Sequence, residues 1–187
     1  VGDLGTSAAP SLVRALQEVD LLLVVGARLG EITTQGYESL EAPVPRQRLV
    51  HVHASAEELG RVYAPDIAIV SEARAFARAV KDARWLPPER WEGWRTRLRA
   101  AYEETSTPAA GNGRGVDGGV VMAQLQAALP PDAIVTLDAG NHTGWPQRFF
   151  RYARPGRQIG STSGAMGYSV PAAGAASLVT DKVVIAC

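Results

Sequence analysis

Leu12, Val13, Leu16 and Val19 recur at helical spacing behind Ser7 and Pro10, and the continuous apolar run Leu21–Val25 follows, ending on Gly26. That order predicts an amphipathic helix and then a buried strand. A second apolar run at 48–52 leads into Ser55, Ala56, Glu57 and Glu58. A serine and a glutamate three apart can satisfy each other's free backbone donors, so a helix is expected to start there. The third run, 67–70, precedes Ser71, a candidate cap for a helix through 83 that carries Ala73, Phe76, Ala77 and Val80 on one face. Strands that alternate with helices pair in parallel, because a parallel neighbour is reached only through a long crossover.

The texture changes after Trp85. Pro87-Pro88 halts the chain, and Trp91, Trp94, Leu98 and Tyr102 form a stripe on a charged bridging helix. Residues 105–119 are rich in Thr, Pro, Gly, Asn and Ala and are expected to be a linker holding a domain boundary. Beyond it the pattern predicts an amphipathic helix through Val120, Val121, Leu125 and Leu129, a strand at 133–137, a short helix at 144–150 and a last strand at 182–187. Val183 to Ala186 would sit in the interior of a sheet. The organisation expected is therefore 1–86, then a bridging helix and linker at 87–115, then 116–187. The fold class is α/β, with parallel sheets and flanking helices. The chain opens inside a glycine-bearing loop and stops on a strand, which we read as truncation at both ends.

Composition narrows the function classes. Nineteen basic residues balance nineteen acidic ones, so no overall field draws in nucleic acid or an anionic membrane. The longest apolar run falls far short of the ~20 residues a membrane helix needs, and the start does not read as a secretion signal. One cysteine, Cys187, excludes an internal disulfide and fits a cytoplasmic protein. The partners expected are small molecules and other subunits. The tryptophans among arginines are read as packing and not as a base-stacking surface.

Two segments can carry chemistry. Asp138-Ala139-Gly140-Asn141-His142 follows the predicted strand at 133–137, where open α/β sheets bind ligands. Gly140 admits close backbone approach, and the N–H groups after it can hold an anion such as a diphosphate. His142 can add a hydrogen bond. The second segment is Gly160-Ser161-Thr162-Ser163-Gly164-Ala165-Met166-Gly167-Tyr168, followed by Pro171-Ala172-Ala173. Met166 is its one bulky apolar side chain, and its polarisable thioether can brace a planar ring while adjacent backbone groups bond the ring's edge. Taken singly, the first segment reads more readily as an ordinary strand-to-helix turn with a surface histidine, and the second as readily as a glycine-rich loop with one core methionine.

In their order, these segments with Trp145 and Val183-Val184-Ile185-Ala186 resemble the thiamine-diphosphate-binding domain of acetolactate synthase-like enzymes. The resemblance implies diphosphate contacts from Ala139, Gly140, Asn141 and His142, with Asn141 standing where glutamine is commoner. It implies aminopyrimidine contacts from Gly164, Ala165 and Met166, the methionine helping to impose the bent cofactor shape. Mg2+ would accompany the diphosphate, but the family's Gly-Asp-Gly metal loop and the glutamate that starts catalysis have no counterpart here. No catalytic or metal-binding residue is therefore nominated, and the isolated chain is expected to be inactive. The activity implied is a decarboxylating carboligase acting on a 2-oxo acid such as pyruvate, in a homodimer or homotetramer; a decarboxylase or aldehyde lyase on the same frame would share both motifs.

The first half, from Asp20 through Gly26-Ala27-Arg28-Leu29-Gly30, resembles the latter part of the family's Rossmann-like central domain, which binds FAD in some relatives. Arg28 is the nucleotide-site candidate. His53 stands where an aspartate often sits, which weighs against FAD. His51 and His53 alternate along one strand face, but two histidines without a third ligand make no zinc site. The rival from another class is a non-catalytic module in which the Gly26-Ala27-Arg28 turn binds an adenine nucleotide and the second half mediates assembly.

Overall fold

The computed structural model describes residues 2–5, 8–83, 88–109, 115–152 and 154–187. The chain divides into two compact units, Val1–Tyr102 and Glu103–Cys187. In the first, helix α1 (Pro10–Glu18) starts on a proline, whose missing N–H costs nothing in a first turn. Strands β1 (Leu21–Val25), β2 (Arg48–His53) and β3 (Ile67–Val70) form a parallel sheet in the order β1-β2-β3. Val24 lies level with His51, and Val50 with Ile67. Leu22, Val24 and Leu49 pack with Leu16, Leu40 and Tyr63 into the core. Leu21, Leu23 and Val25, which point to the other face, stay partly exposed. The run expected to be a wholly buried strand is thus covered on one face among the described residues.

Two helix expectations in this unit are corrected. Ser55 to Glu58 opens no α-helix: there is a single 3-10 turn, Ala56–Glu58, and the Ser55 side chain makes no capping bond. Glu58 accepts instead from the Arg61 guanidinium at 3.0 Å, so the carboxylate that would close a capping box is engaged elsewhere. Helix α2 (Ala73–Ala79) is shorter than 71–83, and its cap position is Glu72. The Ser71 hydroxyl donates to the Glu72 carbonyl at 3.1 Å and is not available to the helix. Helix α3 (Glu92–Thr105) follows a 3-10 turn at Pro88–Trp91 and buries Leu98 from the expected stripe. Trp85, Pro87 and the middle of the expected linker, 110–114, lie outside the described residues.

The second unit holds α4 (Gly118–Ala128), β4 (Ile134–Leu137), α5 (Gly144–Phe149), β5 (Gln158–Gly160), α6 (Ser169–Val179) and β6 (Val184–Ala186). Asp117 caps α4, its carboxylate accepting from the N–H groups of Gly119 at 2.8 Å and Val120 at 3.1 Å. The strands are parallel in the order β5-β4-β6. β4 is in the middle and is buried at all four positions. β6, expected in the interior, is an edge strand of the described sheet, and the three-residue β5, which periodicity did not reveal, supplies the opposite edge. Helix α6 packs on this sheet through Ser169 and Ala176. Helices α4 and α5 meet at glycines: a Cβ on Gly118 would stand 2.3 Å from the Trp145 ring, and one on Gly119 3.0 Å from Phe149.

Candidate functional site

Because β4 and β5 run parallel, the turns that leave them open on one rim, the C-terminal end of the sheet. Both sequence-predicted segments fall there. Asp138 is the first residue past β4. Its carboxylate accepts the N–H of Ala139 at 2.7 Å within its own turn. It also accepts the N–H of Gly167 at 2.7 and 2.9 Å to its two oxygens, and that of Tyr168 at 3.3 Å, both from the turn that precedes α6. One side chain therefore joins the two segments across some thirty residues of sequence. Beneath it, the Thr136 hydroxyl donates to the Ser169 carbonyl at 2.8 Å and fastens the first turn of α6 to β4.

The first turn is shaped by Gly140, at φ 150° and ψ 171°. A side chain there would be strained, and its Cβ would come within 2.8 Å of His142 Nδ1. Asn141–Thr143 then forms a 3-10 turn that leads into α5, anchored by the Thr143 hydroxyl donating to the Gly140 carbonyl at 2.8 Å. Asn141 and His142 are exposed on the rim. In the second turn Gly164 and Gly167 adopt left-handed φ values of 67° and 85°, and nothing lies within 4 Å of a Cβ built at either. Ser161 Oγ accepts the Ala165 N–H at 3.1 Å. Met166 is 84% exposed, so of the two readings left open for it the core methionine does not hold.

Electrostatics agree with this division of labour. The Asp138 carboxyl is held below its ordinary value of 3.8, first by the Ala139 N–H. The backbone of Tyr168, Gly167 and Ser169 adds in the same direction, against partial burial. It stays an anion at neutral pH whose lone pairs are spent on backbone donors, not a proton shuttle. Burial pushes the Cys187 thiol up, and burial followed by the neighbouring Cys187 pushes the Tyr152 hydroxyl up. Neither is poised to react near neutrality.

The first unit has its own cleft, lined by Arg28, Tyr37, His51, Glu58, Arg61 and Tyr63 among others. Glu58 stands between the two cations, 3.7 Å from Arg28 and 3.0 Å from Arg61. His51 is buried, with Nε2 2.9 Å from the Ala27 carbonyl. His53 Nδ1 accepts the Ser55 N–H at 3.0 Å. The two imidazoles are thus bound to the backbone, and no cluster of three or more His, Cys, Asp or Glu able to hold a metal occurs among the described residues. No helix among them is long and apolar enough to cross a membrane.

What sequence reasoning missed at the rim is the carboxylate itself. In the sequence Asp138 stands within the motif with no role of its own. The local signal was present, since an aspartate directly after a buried strand and ahead of a glycine turn is well placed to accept backbone N–H groups. Its partners in the second turn were not readable from periodicity.

Comparison with known proteins places this arrangement. Residues 1–80 match the family model described as thiamine pyrophosphate enzyme, central domain, and residues 138–187 match thiamine pyrophosphate enzyme, C-terminal TPP binding domain. The chain belongs to the thiamine pyrophosphate enzyme family. Among its relatives, the acetolactate synthase large subunit of Parasynechococcus marenigrum is 32% identical over 200 residues, covering 99% of this chain and 30% of the relative. The acetolactate synthase isozyme 2 large subunit of Escherichia coli is 26% identical over 188 residues, all of this chain and 33% of the relative. The acetolactate synthase large subunit of Corynebacterium glutamicum is 28% identical over 96% of this chain and 29% of its own length. The chain spans about a third of the length of these curated relatives.

Proposed function

We propose that the protein to which this chain belongs is a thiamine-diphosphate-dependent carboligase of the acetolactate synthase type, and that the rim of the second unit supplies half of its cofactor site. The observation that carries the reading is the Asp138 carboxylate joining both glycine turns at the C-terminal edge of one parallel sheet. Backbone donors and a bulky side chain lie on the same rim, as a ligand with a diphosphate at one end and an aromatic ring at the other requires. The residues fit that group. Left-handed glycines at 164 and 167 leave open space beside the backbone, and Met166 is free to meet a ring.

When bound, thiamine diphosphate supplies a thiazolium carbon able to attack a 2-oxo acid and an electron sink for loss of carbon dioxide. Gly140, Asn141 and His142 would hold the diphosphate end through backbone N–H groups and, at His142, a side chain, while Ala139, whose own N–H is taken by Asp138 at 2.7 Å, would shape the turn beside them. Gly164 and Ala165 meet the edge of the aminopyrimidine through their backbone, and Met166 sets its tilt. These residues position and orient; none moves a proton. Mg2+ would serve the diphosphate, neutralising part of its charge. Pyruvate is the favoured 2-oxo acid, on the names of the relatives, and the assembly is a homodimer or homotetramer in the cytoplasm. The domain organisation that goes with this reading is 1–86, 87–115 and 116–187.

The adenine-nucleotide reading rests on the first unit's cleft and its two arginines. Glu58 between them cancels much of the positive field that a phosphate would seek, so this reading is second. Calorimetric titration of the full-length protein separates the two. Thiamine diphosphate with Mg2+ is expected to bind, and ADP and FAD are expected not to compete; binding of ADP or FAD alone would reverse the assignment.

A further inference from the structure

We infer that Asp138 is a positioning residue that couples the diphosphate turn to the aminopyrimidine turn, an inference that rests on the thiamine diphosphate reading. The second turn has little else to hold it. Gly164 and Gly167 meet no neighbour within 4 Å of a Cβ position, and Met166 between them is 84% exposed. Ser161 to Ala165 is a bond within the turn. The Thr136 to Ser169 bond fixes only the start of α6, two residues beyond Gly167. Among the described residues, Asp138 alone is seen bonding both turns at once, with Ala139 on one side and Gly167 and Tyr168 on the other. A rigid ligand gripped at both ends binds well only if its two grips keep their separation, so a tie between them acts on the whole ligand and not on either end alone.

The geometry also says what the tie needs. Asp138 Oδ1 accepts from Ala139, Gly167 and Tyr168, and Oδ2 lies 2.9 Å from the Gly167 nitrogen. Asn in its place keeps the shape, but its amide must either turn an NH2 toward the Gly167 N–H or give up Ala139, and it loses the charge that strengthens all these bonds.

The test measures affinities of the full-length protein for thiamine diphosphate and for inorganic diphosphate, each with Mg2+, in wild type, Asp138→Asn and Thr136→Val. Inorganic diphosphate reaches only the first turn. Asp138→Asn is expected to weaken thiamine diphosphate about tenfold or more, the size of one lost charge-assisted hydrogen bond, while inorganic diphosphate changes less than about twofold. Thr136→Val, which loosens α6 but leaves the carboxylate, is expected to lower stability and leave the ratio of the two affinities unchanged. Equal weakening of both ligands by Asp138→Asn, or of neither, overturns the inference. If Asp138→Asn does not fold, Asp138→Ser, whose hydroxyl can still accept from Ala139, is measured for the same split; failure of both to fold assigns the residue to folding alone and overturns the inference as well. Wild type that binds inorganic diphosphate but not thiamine diphosphate would instead sink the functional reading, a result distinguishable from all of these.

Discussion

Met166 and Asp138 sit on the same rim and illustrate opposite ways for a residue to matter. Met166 is largely exposed, so Met166→Ala removes little packing and should change unfolding free energy by no more than about 0.5 kcal/mol. If its thioether braces the cofactor ring, turnover of the full-length enzyme should fall severalfold in the same variant; unchanged turnover with unchanged stability would remove its assigned role. Asp138 acts through the backbone, and its protonation is felt in stability. Its folded-state pKa lies below the ordinary 3.8, so its contribution is fully present above that value and is lost as pH falls through the lower, folded value. Acid unfolding followed from pH 5 downward should therefore be steeper in wild type than in Asp138→Asn, which has no proton to gain at this site. Equal slopes would mean that the turns are not tied through this carboxylate.

At the level of elements, the sequence was most informative where one interaction dominates. Leu21–Val25 and Ile134–Leu137 are strands because continuous branched and aliphatic runs bounded by turn residues leave no other low-energy choice. It was least informative at caps and edges. Ser55 and Ser71 have the residue type of a helix cap, yet each loses to a competitor a few ångströms away: Arg61 takes Glu58, and the Glu72 carbonyl takes the Ser71 hydroxyl. The three residues of β5 contain one large apolar side chain and form a strand only because β4 offers a free edge. Asp117 shows the reverse case, a cap that does form. Asp117→Ala should cost about 1 kcal/mol through loss of two backbone bonds at the start of α4. Gly118→Val should cost more, because any Cβ there must enter the Trp145 ring. Urea unfolding of the pair would check the order, and a Gly118 variant as stable as wild type would refute the close approach of α4 to α5.

For the whole molecule, the candidate site was legible as two segments and illegible as a site. Their residue types marked each as a turn able to admit a ligand, but what brings them together is a parallel sheet edge and one carboxylate, and neither has a signature in periodicity. The first unit's cleft is the converse, a place whose residue types advertise a nucleotide while their arrangement opposes it, since Glu58 pairs with Arg61 at 3.0 Å and with Arg28 at 3.7 Å and offsets part of their charge. This difference is measurable by linkage, because a ligand stabilises the folded state only to the extent that it binds there. Thiamine diphosphate with Mg2+ at a hundred times its dissociation constant should raise the stability of the full-length protein by about 2.7 kcal/mol, whereas ADP at the same concentration should leave its melting temperature unchanged. Glu58→Gln should then let ADP raise it, because the substitution frees two guanidinium groups without adding a clash. If ADP stabilises wild type as much as the variant, the Glu58 carboxylate is not what guards the cleft, and the two arginines belong to a nucleotide site after all.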